Sequence, residues 1–106
     1  MEEIVVLITA SSDGEAREIG SYLVEKRLVA CANIIGDIQS IFRWQGKVET
    51  EREVLLVLKS AMPKLPEIIK ETKRMHSYQV PEIIALPILG GSQDYLNWIH
   101  ESTKDV

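Results

Sequence analysis

Apolar positions along the chain change their period several times, and each change marks an element. Ile4-Val5-Val6-Leu7-Ile8 is an unbroken, largely β-branched run. Such a run fits a central strand buried on both faces. From Ser12 the period becomes helical, with Ala16, Ile19, Gly20, Leu23 and Val24 on one stripe and Arg17, Glu18, Glu25 and Lys26 facing water. Ser12 and Glu15 have the spacing of a capping box, in which N-cap and third helical residue satisfy each other's backbone. Gly20 costs helix propensity on the apolar face and is expected to let this helix approach the sheet closely.

Leu28 to Ile35 is a second apolar run, with small residues at Ala30, Cys31 and Ala32. Gly36-Asp37 reads as a bulge or bend, because Ile38 to Trp44 resumes extended character. Gln45-Gly46 turns the chain, and Lys47 to Glu53 feeds the strand Val54-Leu55-Leu56-Val57-Leu58-Lys59. Two long strands around Gln45-Gly46 make a hairpin. At about 3.3 Å per residue the ribbon reaches roughly 40 Å. That is more than the domain needs to cover its own helices, so ribbons of neighbouring subunits are expected to extend one another's sheets.

Pro63 and Pro66 suit the first turn of a second helix, capped at Ser60 or Met62, with Leu65, Ile68, Ile69, Thr72 and Met75 turned inward. After His76 comes Ser77-Tyr78-Gln79-Val80-Pro81-Glu82, then a strand at Ile83-Ile84-Ala85-Leu86. Gly90-Gly91 breaks the chain. Ser92 caps a short last helix with Tyr95, Leu96, Trp98 and Ile99 on its apolar side and a polar tail from His100.

This order predicts an α+β fold: a ferredoxin-like βαββαβ sandwich with a long β-hairpin and an additional C-terminal helix, forming one domain over residues 1–106. Right-handed crossovers put the first and third strands in the centre and the second and fourth outside. Val5 and Val6 cannot both face the helices, nor can Leu55 and Leu56, so the second sheet face also asks for a partner.

Charge narrows the function. A formal net charge of -4 argues against a phosphate-backbone binder, and no nucleic-acid partner is expected. A single cysteine, Cys31, cannot form an internal disulfide or a zinc thiolate cluster, and it points to a reducing compartment. Met1-Glu2-Glu3 is acidic where a secretory leader is basic, and no apolar run nears the roughly 20 residues that cross a bilayer. The expected setting is cytoplasmic, without a membrane partner.

Catalytic chemistry finds little support. Cys31 lies in an apolar strand and reads as a small buried core residue. Gly90-Gly91 lacks the spacing and lysine of a phosphate loop. Glu49, Glu51 and Glu53 read as a solvated stretch of ribbon, able to hold a cation only if they converge between subunits. His100 reads as exposed, and Trp44 and Trp98 as interface or core groups. The polar atoms with most promise are those of His76, Tyr78 and Glu82, an imidazole, a phenol and a carboxylate on a segment stiffened by Pro81. They fit either a weak, open metal site or a rigid helix-to-strand connection with local hydrogen bonds.

The chain resembles the CutA family of divalent-cation tolerance proteins over nearly its whole length. The resemblance is carried by Leu28-Val29-Ala30-Cys31-Ala32-Asn33, Trp44-Gln45-Gly46-Lys47, Glu53 with Leu58-Lys59, His76-Ser77-Tyr78-Gln79-Val80-Pro81-Glu82-Ile83 and Tyr95-Leu96-Asn97-Trp98. It implies a non-catalytic homotrimer linked to tolerance of copper or other divalent cations, with no obligatory cofactor. Of the ligands proposed for copper-binding members, a cysteine falls here on Ile8 and the first of two histidines on Met75, so that only His76 matches. His76 is thus the foremost metal candidate, followed by Met75 and Glu82. The resemblance also implies an intersubunit cleft lined by Trp44, Lys47, Tyr78 and Glu82. The alternative is a signalling or adaptor trimer, like the PII-type proteins, that binds a small metabolite or a protein in that cleft.

Overall fold

A computed structural model describes residues 2–105. The elements run β1 (Glu3–Ala10), α1 (Asp13–Glu25), β2 (Cys31–Trp44), β3 (Lys47–Ala61), a 3-10 turn (Met62–Lys64), α2 (Leu65–Met75), β4 (Ile83–Pro87) and α3 (Gln93–Thr103). The sheet is antiparallel in the order β2-β3-β1-β4, with the first and third strands central as expected.

Strand register divides the sheet into two faces. Ala32, Leu58, Val6 and Ala85 stand abreast, as do Ile34, Leu56, Ile8 and Ile83. These residues meet α1 and α2, and Ile4, Val6, Ile8, Leu56 and Leu58 are fully buried there with Ile19, Leu23 and Ile68. Gly20 has the expected role: a Cβ built on it would stand 3.1 Å from the Cβ of Ala32 and 3.5 Å from Leu56. The second face carries Val5, Leu7, Leu55 and Val57, with Ile35, Ile84 and Leu86 about half exposed. At one end of that face, α3 packs against β3 and β1, and its Ile99 and Thr103 are buried.

The ribbon forms as its sequence dictates. Gln45 and Gly46 both have positive φ, 50° and 81°, which matches the twist of a two-residue hairpin. The register slips between Ile35 and Ile38, and Asp37 takes a φ of 62° while its carboxylate accepts from Arg52 Nη1 at 2.6 Å. One extra residue in β2 therefore keeps Ile38, Ser40 and Phe42 on the same face as Glu53, Glu51 and Glu49. The longest dimension of the subunit is 44 Å.

Several expectations change. Ser60 lies in β3, where its buried hydroxyl donates to the Leu28 carbonyl at 2.6 Å; Ala61 precedes the 3-10 turn and Lys64 precedes α2. Val24, assigned to the inner stripe of α1, is 39% exposed because α1 overhangs the edge strand β2. Cys31 opens β2 on the second face, half-buried, with its thiol 3.6 Å from the Tyr95 hydroxyl. That contact, then burial, pushes the Tyr95 phenol up from its ordinary value. His100 is no exposed tail residue: α3 runs on to Thr103, and the His100 imidazole meets the Glu3 carboxylate. This hydrogen bond lowers the Glu3 carboxyl from its usual range. Arg27 fastens the end of the same helix, donating to the carbonyls of Glu101 and Lys104 at 2.9 and 3.0 Å, where a cation complements the helix dipole.

Candidate functional site

The ribbon outruns the rest of the sheet. β1 ends with Ala10 opposite Val54, so residues 47–53 of β3 and 38–44 of β2 have no third strand beside them. Pro81 holds the chain extended between α2 and β4, and residues 77–82 stand facing this free half. Between them lies an open cleft of about 950 Å³.

Three contacts anchor the 76–82 segment. The first joins His76 to β1. Its Nε2 lies 2.7 Å from the Thr9 carbonyl, and its Nδ1 accepts from the Tyr78 backbone N–H at 3.1 Å. A backbone N–H can only donate, so Nδ1 is unprotonated and Nε2 carries the proton that Thr9 receives. Both ring nitrogens are engaged. The second contact comes from Glu15, whose Oε2 accepts from Ser77 N at 2.8 Å while Oε1 accepts from Ser11 N and Oγ at 2.9 and 3.0 Å. Burial would raise the Glu15 carboxyl, but these hydrogen bonds outweigh it and hold the group at about 2.

The third contact links the segment to the ribbon. Tyr78 donates its hydroxyl to Oε2 of Glu53 at 2.7 Å. Glu53 is only 7% exposed. Burial, then the Glu53 carboxylate, pushes the Tyr78 phenol well above its ordinary range, and the charges of Glu15 and Glu51 add to this. The His76 and Tyr78 rings meet with centroids 4.7 Å apart.

Of the residues expected at a cleft, Trp44, Tyr78 and Glu82 line this one, within a single chain. Lys47 pairs with Trp44 across the hairpin end and does not line it. Phe42, Arg43, Glu49, Glu51 and Glu53 complete the wall on the ribbon side. Met75 closes α2 half-buried, packed on the hydrophobic core, and Ile8 is fully buried. Among the described residues, no three His, Cys, Asp or Glu side chains converge closely enough to hold a metal ion. Two further residues shape the site. In the sequence Glu15 is visible only as a helix cap, and Glu53 as one of three alternating carboxylates and as part of the family match.

The comparisons with known proteins agree with this architecture. The family model described as "CutA1 divalent ion tolerance protein" matches residues 4–102. The chain belongs to this family. A divalent-cation tolerance protein CutA of Thermus thermophilus is 48% identical over 103 residues, covering 97% of this chain and 99% of that protein. Protein CutA of Mus musculus is 40% identical, and the match covers 93% of this chain but 56% of the mouse protein. The solved Cut A1 structure from Thermus thermophilus superposes with a TM-score of 0.94 at 47% identity, covering 96% of this chain and 99% of that one. CutA1 from Oryza sativa does so with 0.95 at 37% identity, covering 100% and 97%. The family and the Thermus thermophilus relative are named for divalent-ion or divalent-cation tolerance and not for a catalytic activity. No helix among the described residues is long and apolar enough to cross a membrane.

Proposed function

We propose that this chain is a non-catalytic homotrimer that contributes to divalent-cation tolerance by weak binding at the cleft beside His76. The observation that carries the proposal is the charge of the cleft wall: Glu49, Glu51, Glu53 and Glu82 stand there against the single cation of Arg43. Carboxylate oxygens suit a divalent cation, and an imidazole adds a ligand for copper or zinc. His76 would ligate by releasing either the Tyr78 N–H or the Thr9 carbonyl, which keeps such a site weak. Met75 offers a thioether suited to Cu(I), and Glu82 a carboxylate at the rim. Water or a neighbouring subunit would complete the set. The half-exposed Ile35, Ile84 and Leu86 and the projecting ribbon, which a neighbour would cover, support self-association. A cytoplasmic setting belongs to the same proposal. Calorimetric titration with Cu(II) and Zn(II) tests it: saturable heat for the native protein, lost in His76→Ala, is expected, and identical weak heats for both would overturn the specific site.

A second reading is favoured by the engagement of both His76 nitrogens. The cleft then serves a small molecule, in a signalling or adaptor trimer of PII-like type. A thermal-shift screen of small molecules tests this, and a screen without a hit contradicts it.

A further inference from the structure

We infer that His76 meets a cation through Nδ1, that the Tyr78 backbone N–H is the partner it must shed to do so, and that binding therefore unfastens Tyr78 from Glu53 on the ribbon. This inference rests on the cation-binding reading of His76 and narrows it to one ring nitrogen and one moving residue.

The two nitrogens are held unequally. Nε2 stands 2.7 Å from the Thr9 carbonyl, and Nδ1 stands 3.1 Å from the Tyr78 backbone nitrogen. Thr9 is a buried residue of β1, a central strand. The pairing of β4 with β1 ends at Ile83 opposite Ile8, and the next residue of β1 meets the His76 ring instead. A carbonyl fixed in that strand cannot follow the ring, and losing its donor would leave it buried and unpaired. Tyr78 lies outside helix and strand, so its N–H can turn away.

The hydrogen bond to Thr9 also has a chemical meaning. Histidines that hold metal ions almost always donate their other ring N–H to a carbonyl or carboxylate, which fixes the tautomer and the ring plane. His76 already makes that bond, and the Tyr78 N–H occupies the lone pair of Nδ1 that a cation needs.

Tyr78 does not move alone. Its hydroxyl donates to Glu53 at 2.7 Å, and its ring lies 4.7 Å from that of His76, centroid to centroid. The residue before it is pinned, because Ser77 N donates to Glu15 at 2.8 Å. Tyr78 therefore turns about a fixed neighbour and carries its phenol away with its N–H. The buried Glu53 carboxylate then loses the phenol. All of these bonds lie within one chain. They couple occupancy at His76 to the ribbon, and the coupling lowers the affinity.

Heteronuclear NMR of the untagged protein tests the inference, with Zn(II) as a diamagnetic probe. The metal-free protein should show His76 with its proton on Nε2. Zn(II) should move the Nδ1 resonance, leave the Nε2 proton in place, and shift both the amide and the phenol ring of Tyr78. Tyr78→Phe keeps the N–H and lacks the tie to Glu53. It should bind Zn(II) about fivefold more tightly, the scale of one hydrogen bond that no longer has to break. A residue that merely supported the site would weaken binding when cut back. If Tyr78→Phe does not fold, the nitrogen spectra of the native protein decide alone. A proton on Nδ1 in the metal-free protein, Zn(II) on Nε2, or unchanged or weaker binding by Tyr78→Phe overturns the inference and leaves His76-dependent binding standing. No Zn(II) response at His76 overturns that reading and the inference together.

Discussion

The Tyr78 hydroxyl donates to Oε2 of Glu53 across 2.7 Å, tying the helix-to-strand connection to the free half of the ribbon. Of the two residues, Glu53 has more to lose if the bond is broken. Tyr78→Phe would leave its buried carboxylate without the phenol, at a cost of about 1–3 kcal/mol. The expected readout is a lower denaturation midpoint. An unchanged midpoint would mean that water replaces the phenol without penalty.

The same contact has an alkaline signature. Burial and the Glu53 charge both oppose phenolate formation at Tyr78. In a spectrophotometric titration of the folded protein, Tyr78 should therefore remain neutral above the ordinary tyrosine range, and Glu53→Gln should bring it down. Tyr95 is also raised, through Cys31, so Tyr95→Phe is the background in which to observe Tyr78.

Glu15 should be visible at acid pH. Its carboxyl is held at about 2, below the 4.5 of a free glutamate. A group lowered on folding adds stability above its unfolded value, and that stability is lost as pH falls through the folded one. Glu15→Gln should therefore flatten the acid limb of stability between about pH 4.5 and 2. An NMR titration placing the Glu15 midpoint near 4.5 would contradict the three-way anchoring by Ser11 and Ser77.

Gly20→Val tests the close packing of α1 on the sheet. The new Cβ meets Ala32 at 3.1 Å, and the branched side chain adds bulk against Leu56. A loss of about 1–3 kcal/mol is expected from overpacking. A gain in stability would mean that the edge strand yields freely.

Much of this fold was legible because hydrophobic period and turn chemistry agree. The run at Ile4–Ile8, the stripe at Ala16–Leu23 and the Gln45-Gly46 turn each specify one local structure, and their order leaves one common topology. Side-chain placement across the sheet was less legible. Cys31 looked like a core residue because its neighbours in the sequence are apolar, but it opens its strand on the second face. His100 looked like a tail residue because its partner, Glu3, lies at the other end of the chain. Ser12 and Glu15 showed a capping box, and Ser12 does accept from Glu15 N at 3.1 Å. The Glu15 carboxylate, however, turns to Ser11 and to Ser77, a residue that only tertiary packing brings near. The Tyr78–Glu53 bond was hidden for the same reason: its strand pattern marks Glu53 as solvated, and nothing local announces the segment that buries it.

Self-association should be coupled to folding. The half-exposed second face and the projecting ribbon leave a lone subunit with large apolar surface, so a folded monomer should not accumulate. The unfolding midpoint should rise with protein concentration. Sedimentation at sub-micromolar concentration showing a compact monomer would contradict the proposed trimer.

The most direct test of the cation-binding account is mass spectrometry under native conditions on the untagged protein titrated with copper. A tag must be absent, because its histidines would outcompete a site that has one. The account predicts one copper per chain, retained by the intact assembly and lost in His76→Ala. An assembly that retains no copper, or retains as much in the variant, would contradict it.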